Sequence, residues 1–523
     1  MRDDYPSFPE WWRLAAVEVW LPTAVEMVEL DRVATSSGAI SERTLIENAG
    51  REVARHLQMR WPDGPVLALA GSGHNGADGL VALRTLRAWG RDVRAIRCGR
   101  RAPEPDVLTG WDIELEEPET LESVLATSPI VLDGILGTGL TEAPRPAQAT
   151  LIETVNRSAS PVVAVDGPSG ADLTSGAVPG ACIQARLTVT LGWPKLGLLQ
   201  SPARDRSGDV VAVEIGFPPP SPTPSARAIT AAWASKIVPR RDASAHKGTA
   251  GYVTLIAGSA GMGGASVLAA RAAVRAGAGI VRVVGDPANR EIVQTAVPEA
   301  VFVDREDTAA VAEALSWAHA VAVGPGLGRG EAVHALVEKT LAAAGTPVVL
   351  DADALNVWEE DPAALADRLG SGAVITPHPG EAARLLGCTV GDITADAPAA
   401  ARAAADRFGC TVVLKGSPAL IALPDGSLRV ATLHTPALAA GGTGDILTGL
   451  IGAYLAAGAG PADAATVALV VSVLAALEAP QMVGHSAADL PDRIPGARAR
   501  LDTQLPALVP GVLFASQAPP SRV

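Results

Sequence analysis

Again and again along this chain, a short and wholly apolar run breaks off into a polar turn rich in glycine. Residues 65–70 lead into Gly71-Ser-Gly-His-Asn-Gly-Ala-Asp-Gly79, 130–132 into Asp133-Gly-Ile-Leu-Gly-Thr-Gly139, and 161–165 into Asp166-Gly-Pro-Ser-Gly170. Farther on, 251–256 run into 257–264, 320–323 into Gly324-Pro-Gly-Leu-Gly328, 347–350 into Asp351-Ala-Asp353, and 373–375 into Thr376-Pro-His-Pro-Gly-Glu381. Residues 410–414 then meet Lys415-Gly416, and Gly441-Gly-Thr-Gly-Asp445 opens a helix over 446–456. Strands apolar on both faces belong to parallel sheets covered by helices, and such sheets collect ligand groups at the strands' C-terminal ends. The expectation is α/β, in two Rossmann-like three-layer domains.

The division falls at Phe217-Pro-Pro-Pro-Ser-Pro-Thr-Pro224. Proline at this density excludes helix and central strand, and the run follows a strand predicted over 209–215. A linker there gives domains 1–222 and 223–523; a long surface loop within one domain is the alternative. Residues 1–20 read as an extension carrying tryptophans, and 517–523 as a frayed tail. Helix is predicted over 23–57 and 80–89, and the apolar run 464–477 is a buried helix, too short to span a bilayer.

With 48% hydrophobic and 19% charged residues in 523, the chain has ample material for cores, yet at 3% aromatic these must be built from Ala, Val, Leu and Ile. A net charge of −14 argues against nucleic acid as the main partner. Cys98, Cys182, Cys388 and Cys410 are widely spaced and form no CxxC pair, which suits a reducing cytosol. The N-terminus has neither the basic nor the apolar stretch of a signal peptide. A cytoplasmic protein with no membrane partner is expected.

Several turns carry chemistry. In 71–79 small residues let backbone N–H groups approach a phosphate, while Asn75 and Asp78 offer oxygens to a cation or a substrate hydroxyl. A glycine-rich turn without a ligand is the plain alternative. Asp133 and Asp166 each end an apolar strand, where a carboxylate is costly unless paired, hydrogen-bonded or cation-bound. Either alone could be a turn cap; together with Asn75 and Ser169 they form a polar site, in which the oxygens of Asn75, Asp133 and Ser169 suit a hard cation. Gly441–Asp445 places N–H groups and a carboxylate at a helix start, fit for a transferring phosphoryl group and for taking a hydroxyl proton, although aspartate also merely caps helices. Lys415-Gly416 supplies a cation for nucleotide phosphates, and His378 is confined between two prolines.

Taken together, these stretches closely resemble the bifunctional NAD(P)H-hydrate repair enzymes of bacteria, over nearly the whole chain. Residues 21–216 are similar to the hydrate epimerase family, through Leu21-Pro-Thr23, Asp31, Glu47-Asn-Ala-Gly50 and the three turns. Residues 245–495 are similar to ribokinase-like hydrate dehydratases, through His246-Lys-Gly248, Gly324–Gly328, Asp351-Ala-Asp-Ala-Leu-Asn356, Thr376–Glu381, Lys415-Gly416 and Gly442–Asp445.

The resemblance implies that the second domain is ribokinase-like. It implies hydrate binding by His74, Asn75, Gly76, Ala77 and Asp78, by the loop Gly137, Thr138, Gly139, Leu140, Thr141, Glu142 and Ala143, and by Asp166, which also does acid/base work. It implies potassium at Asn75, Asp133 and Ser169. In the second domain it implies a hydrate site of Ala265, Gly326, His378 and Asp445, with Asp445 catalytic. Lys415, Gly416, Ser417, Pro418, Ala419 and Gly444 would hold ADP, accompanied by magnesium. Substrates would be the hydrates NADHX and NADPHX, and the assembly a homo-oligomer. His74 and Ala77 stand where the family has asparagine and glycine, and a methyl at Ala77 is expected to crowd a backbone needing positive φ or close approach. Two rivals stand beside this reading: a ribokinase-like small-molecule kinase, and a dehydratase whose N-terminal half is only a binding or regulatory module.

Overall fold

A computed structural model describes residues 19–502, apart from positions 100, 102, 104, 105, 242, 245, 344, 433, 434 and 479–483. The extension and tail read from the sequence lie almost wholly outside these residues. The chain forms two compact units, one holding Val19–Arg227 and the other the described residues from Ala228 onward.

In the N-terminal unit seven strands form one parallel sheet: β1 (Val66–Ala70), β2 (Val93–Arg97), β3 (Leu115–Glu116), β4 (Ile130–Gly134), β5 (Val162–Val165), β6 (Leu187–Leu191) and β7 (Asp209–Val213). Their order is β3-β2-β1-β4-β5-β6-β7. The chain turns back between β1 and β4, which is where such a sheet opens a crevice for a ligand. The helices that position the site are α1 (Ala24–Ser36), α2 (Glu42–Arg60), α3 (His74–Ala88) and α4 (Pro146–Arg157).

Strand alternation builds the layers. Val66, Ala68 and Ala70 of β1 join one core with Leu57 of α2 and Leu83 of α3, while Leu67 and Leu69 join a second with Ile152 of α4. Each fully buried leucine contributes roughly 1.5–3 kcal/mol by leaving water.

Two local expectations are corrected here. Helix over 23–57 is two helices, because Gly38 turns the chain at φ +74 and Ser41 caps α2 by accepting from the N–H of Thr44 at 3.1 Å. The stretch 71–79 is not all turn, since α3 begins at His74 and has Asp78 in its second turn. Ala77 is accordingly helical and fully buried in the core, so its backbone does not need the positive φ expected there. Gly50 is where close approach is required: a Cβ there would lie 2.4 Å from Val81 Cβ and 2.6 Å from the Asp78 carbonyl oxygen. Asn48, two residues earlier, donates to the Ile215 carbonyl at 2.8 Å and ties α2 to the segment that follows β7. The Glu47–Gly50 motif thus fixes how α2 packs.

The sheet of the C-terminal unit includes β8 (Tyr252–Ile256), β9 (Ile280–Gly285), β10 (Val301–Asp304), β11 (Ala320–Val323), β12 (Val348–Leu350), β13 (Ala373–Ile375), β14 (Thr411–Leu414), β15 (Leu420–Ala422) and β16 (Leu428–Ala431). Their order is β16-β15-β14-β13-β12-β11-β8-β9-β10, parallel as far as β14 and antiparallel from β14 to β16. Site-forming helices are α5 (Gly263–Ala276), α6 (Pro379–Leu386) and α7 (Thr443–Ala456); α8 (Pro461–Leu477) is the buried apolar helix expected. The core is dominated by alanine and branched aliphatics, as the low aromatic content demanded. No helix among the described residues is long and apolar enough to cross a membrane.

Candidate active sites in the two units

The N-terminal unit holds a cavity of about 700 Å³ at the C-terminal ends of β1, β4 and β5. Its wall includes His74, Asn75, Gly76, Asp78, Gly137, Thr138, Gly139, Leu140 and Asp166 from the expected set. Ala77 faces the core instead, and Thr141, Glu142 and Ala143 are exposed residues outside the lining. At the rim, His74 Nε2 lies 2.5 Å from a Glu42 carboxylate oxygen.

Asp166 follows β5 directly and holds a left-handed backbone at φ +66. Its Oδ1 accepts from the Leu191 N–H at 2.9 Å, from the Thr190 hydroxyl at 3.2 Å and from the ammonium of Lys195. Lys195 is 1% exposed, and it also donates to the Leu191 carbonyl at 2.8 Å. Sequence reasoning missed this lysine. Its only signal was a lone cation in the apolar stretch Trp193-Pro-Lys-Leu-Gly-Leu-Leu199, and its partner lies 29 residues upstream.

Asp133, fully buried in β4, accepts from the Ser169 hydroxyl at 2.6 Å and the Ser169 N–H at 2.8 Å. Desolvation pushes its carboxyl up to about 6 against those bonds. The Ser169 oxygen in turn accepts from the Leu136 N–H at 2.9 Å, and Asn75 donates its amide to the Leu136 carbonyl at 2.8 Å. Asn75, Asp133 and Ser169 therefore share one knot of oxygens. A buried carboxylate among hydroxyl and carbonyl oxygens is the donor chemistry a hard monovalent cation takes.

In the C-terminal unit α7 starts at a left-handed Gly442, φ +90, and carries Asp445 in its first turn. Desolvation, then the nearby Asp351, pushes the Asp445 carboxyl up to about 7 although Lys415 pulls it down. Lys415 directly follows β14 and reaches Asp351 Oδ1 at 2.6 Å, with Glu381 Oε2 at 3.8 Å. Desolvation works against its charge, but Asp351 and Glu381 outweigh it and hold the ammonium above the ordinary lysine value. A Cβ on Gly444 would stand 3.5 Å from Asp351 Oδ2 and 3.7 Å from Lys415 Nζ, so Lys415, Gly444 and Asp445 are brought together. Gly416, Ser417, Pro418 and Ala419 form the tight connection from β14 to β15.

Ala265 and Gly326 also meet, a Cβ on Gly326 falling 2.9 Å from that of Ala265. His378 is the N-cap of α6: its Nδ1 accepts from the Gly380 N–H at 2.9 Å, while the Glu381 carboxylate accepts from its own N–H at 2.8 Å. The other ring nitrogen, Nε2, lies 3.4 Å from Glu381 Oε1.

These two sites lie within the segments that match known families. The family described as YjeF-related protein N-terminus matches residues 42–197, and the one described as NAD(P)H-hydrate dehydratase matches 253–496. A bifunctional NAD(P)H-hydrate repair enzyme of Moorella thermoacetica is 36% identical over 94% of this chain and 99% of its own. The chain belongs to the family of bifunctional NAD(P)H-hydrate repair enzymes. Solved structures similar to its C-terminal part include a Bacillus subtilis ADP/ATP-dependent NAD(P)H-hydrate dehydratase co-crystallised with ATP and magnesium, 31% identical, spanning 52% of this chain and 97% of that one, TM-score 0.46. Another is a ribokinase-like superfamily protein of Enterococcus faecalis, 24% identical, spanning 53% and 96%, TM-score 0.49.

Proposed function

We propose that residues 1–222 interconvert the R and S hydrates of NADH and NADPH, and that residues 223–523 return the S hydrate to the reduced cofactor at the expense of ADP. The observation that carries the reading is Asp445: a carboxyl raised to about 7 at the start of a glycine-led helix, beside a lysine paired to a second aspartate. It takes the proton of the hydrate's hydroxyl. The hydroxyl oxygen then bonds to the terminal phosphorus of the nucleotide, and the bond from that phosphorus to AMP breaks. Phosphate departs from the ring carbon, and loss of a proton from the neighbouring carbon restores the double bond. Hydroxide leaves poorly and phosphate well, which is why a kinase-like site suits a dehydration.

Lys415, Gly444 and the 416–419 connection hold the nucleotide, and Ala265, Gly326 and His378 hold the hydrate. The carboxylates of Asp351 and Glu381 are oxygen donors that fit magnesium, which when bound neutralises charge on the phosphates. In the first unit Asp166 moves the proton at the hydroxylated carbon, in contact with a substrate lying along His74–Asp78 and Gly137–Leu140. Asn75, Asp133 and Ser169 hold potassium, which steadies the loop after β4. Family membership supports a cytosolic homo-oligomer, which sedimentation of the pure chain tests.

The deciding experiment follows the absorbance of reduced nicotinamide, starting from mixed hydrate epimers with magnesium and ADP. Complete recovery faster than spontaneous epimerisation is the expected result. Recovery that stalls once the S epimer is consumed removes the epimerase, and a stable phosphorylated product in place of reduced cofactor makes the chain a kinase.

A further inference from the structure

The cavity of the N-terminal unit is lined by four carboxylates, Asp31, Glu42, Asp78 and Asp166, more than a single acid/base group explains. Asp166 is engaged on Oδ1 by Lys195, Thr190 and Leu191. Asp78 is different. It lines the same cavity from α3, it is 6% exposed, and among the described residues no hydrogen bond reaches its carboxyl. Its charged neighbours are Asp166, Lys195 and Asp31, so two other carboxylates share the one buried ammonium with it. Burial first, and the Asp166 charge next, push the Asp78 carboxyl well above the ordinary carboxylate range. The backbone behind it cannot retreat, because Gly50 of α2 is already packed on the Asp78 carbonyl.

We infer that Asp78 is the second catalytic carboxyl of the epimerase, delivering a proton to the departing hydroxyl while Asp166 receives one from the incoming water. This rests on the proposed epimerisation and assigns its other half. The neutral Asp78 gives its proton to the hydroxyl oxygen, the carbon–oxygen bond breaks, and water leaves as the ring nitrogen's lone pair forms a carbon–nitrogen double bond. Water then bonds to the same carbon from the opposite face, the π pair returns to nitrogen, and the surplus proton passes to Asp166. The reverse epimerisation starts from that state, with Asp166 the acid and Asp78 the base, so the two directions balance.

The test uses the full chain in water enriched in oxygen-18, with R hydrate as substrate and no nucleotide. Wild-type protein is expected to place label at the hydroxylated carbon in step with epimerisation. Asp78→Asn is expected to lower both by 100-fold or more, with KM for the hydrate within about threefold, while dehydration of S hydrate by the same preparation with ADP reports an intact chain. Asp78→Glu, which keeps the proton, is expected to recover part of the rate. Asp78→Asn epimerising within threefold of wild type overturns the inference. So does wild-type epimerisation without label, a result that needs no variant to fold. A wild-type chain that does not outpace buffer sinks the epimerase reading itself, which is a separate outcome.

Discussion

Lys415 donates to one oxygen of Asp351 at 2.6 Å, while the other oxygen of Asp351 accepts the Thr448 hydroxyl at 2.8 Å. Asp351 is thereby fixed, close enough to Asp445 for its charge to oppose a second negative one. A base raised to about 7 works only when deprotonated. The kcat/KM for S-hydrate dehydration should therefore fall as pH drops through 7, approaching tenfold per unit below it. Asp351→Asn should move that midpoint down by removing the opposing charge. A pH profile flat from 5.5 to 8 would contradict the assignment.

Asp445→Asn should lower dehydration by about 10²–10⁴-fold and leave the rate of R/S interconversion untouched. Chromatographic separation of the epimers measures both on one preparation.

Gly444 offers a change that spares the fold. A methyl there meets Asp351 and Lys415 at ordinary contact distance, so Gly444→Ala should melt like the parent. It occupies the space proposed for the nucleotide phosphates, and KM for ADP should rise about tenfold or more, the loss of about 1.4 kcal/mol of binding.

Gly50→Ala should behave in the opposite way. The added carbon overlaps Val81 and the Asp78 carbonyl, and overpacking of this kind costs about 1–3 kcal/mol. Calorimetry should show a lower transition for the N-terminal unit, and epimerisation should weaken with it.

Potassium should raise the melting temperature of the N-terminal unit by about 5–10 °C when it is about 100-fold above its Kd. Asp133→Asn and Ser169→Ala should abolish that rise, and a matched sodium series reports the selectivity of the knot.

Strand ends were the legible part of this protein. An apolar run followed by Asp133, Asp166, Asp351 or Lys415 announces a side chain at a sheet's C-terminal edge, and each sits there. Helix starts were harder, because three glycines among 73–79 argue against helix by propensity, yet packing of α3 on α2 overrides it. Pairings between distant residues were not legible. Nothing in the spacing of Lys195 and Asp166, or of Gly50 and Val81, says that they touch. Thr141 to Ala143 entered the expected ligand loop through the family resemblance alone; they are exposed and do not line the cavity.

Asp166 occupies a backbone conformation in which aspartate, asparagine and glycine are at ease and β-branched residues are not. An aspartate codon is one base from asparagine and from glycine, and both keep that conformation while discarding the carboxylate. Mutational drift at this position can therefore silence the chemistry without unfolding the domain. The fold leaves open a short evolutionary path from an epimerase to a protein that only holds its ligand.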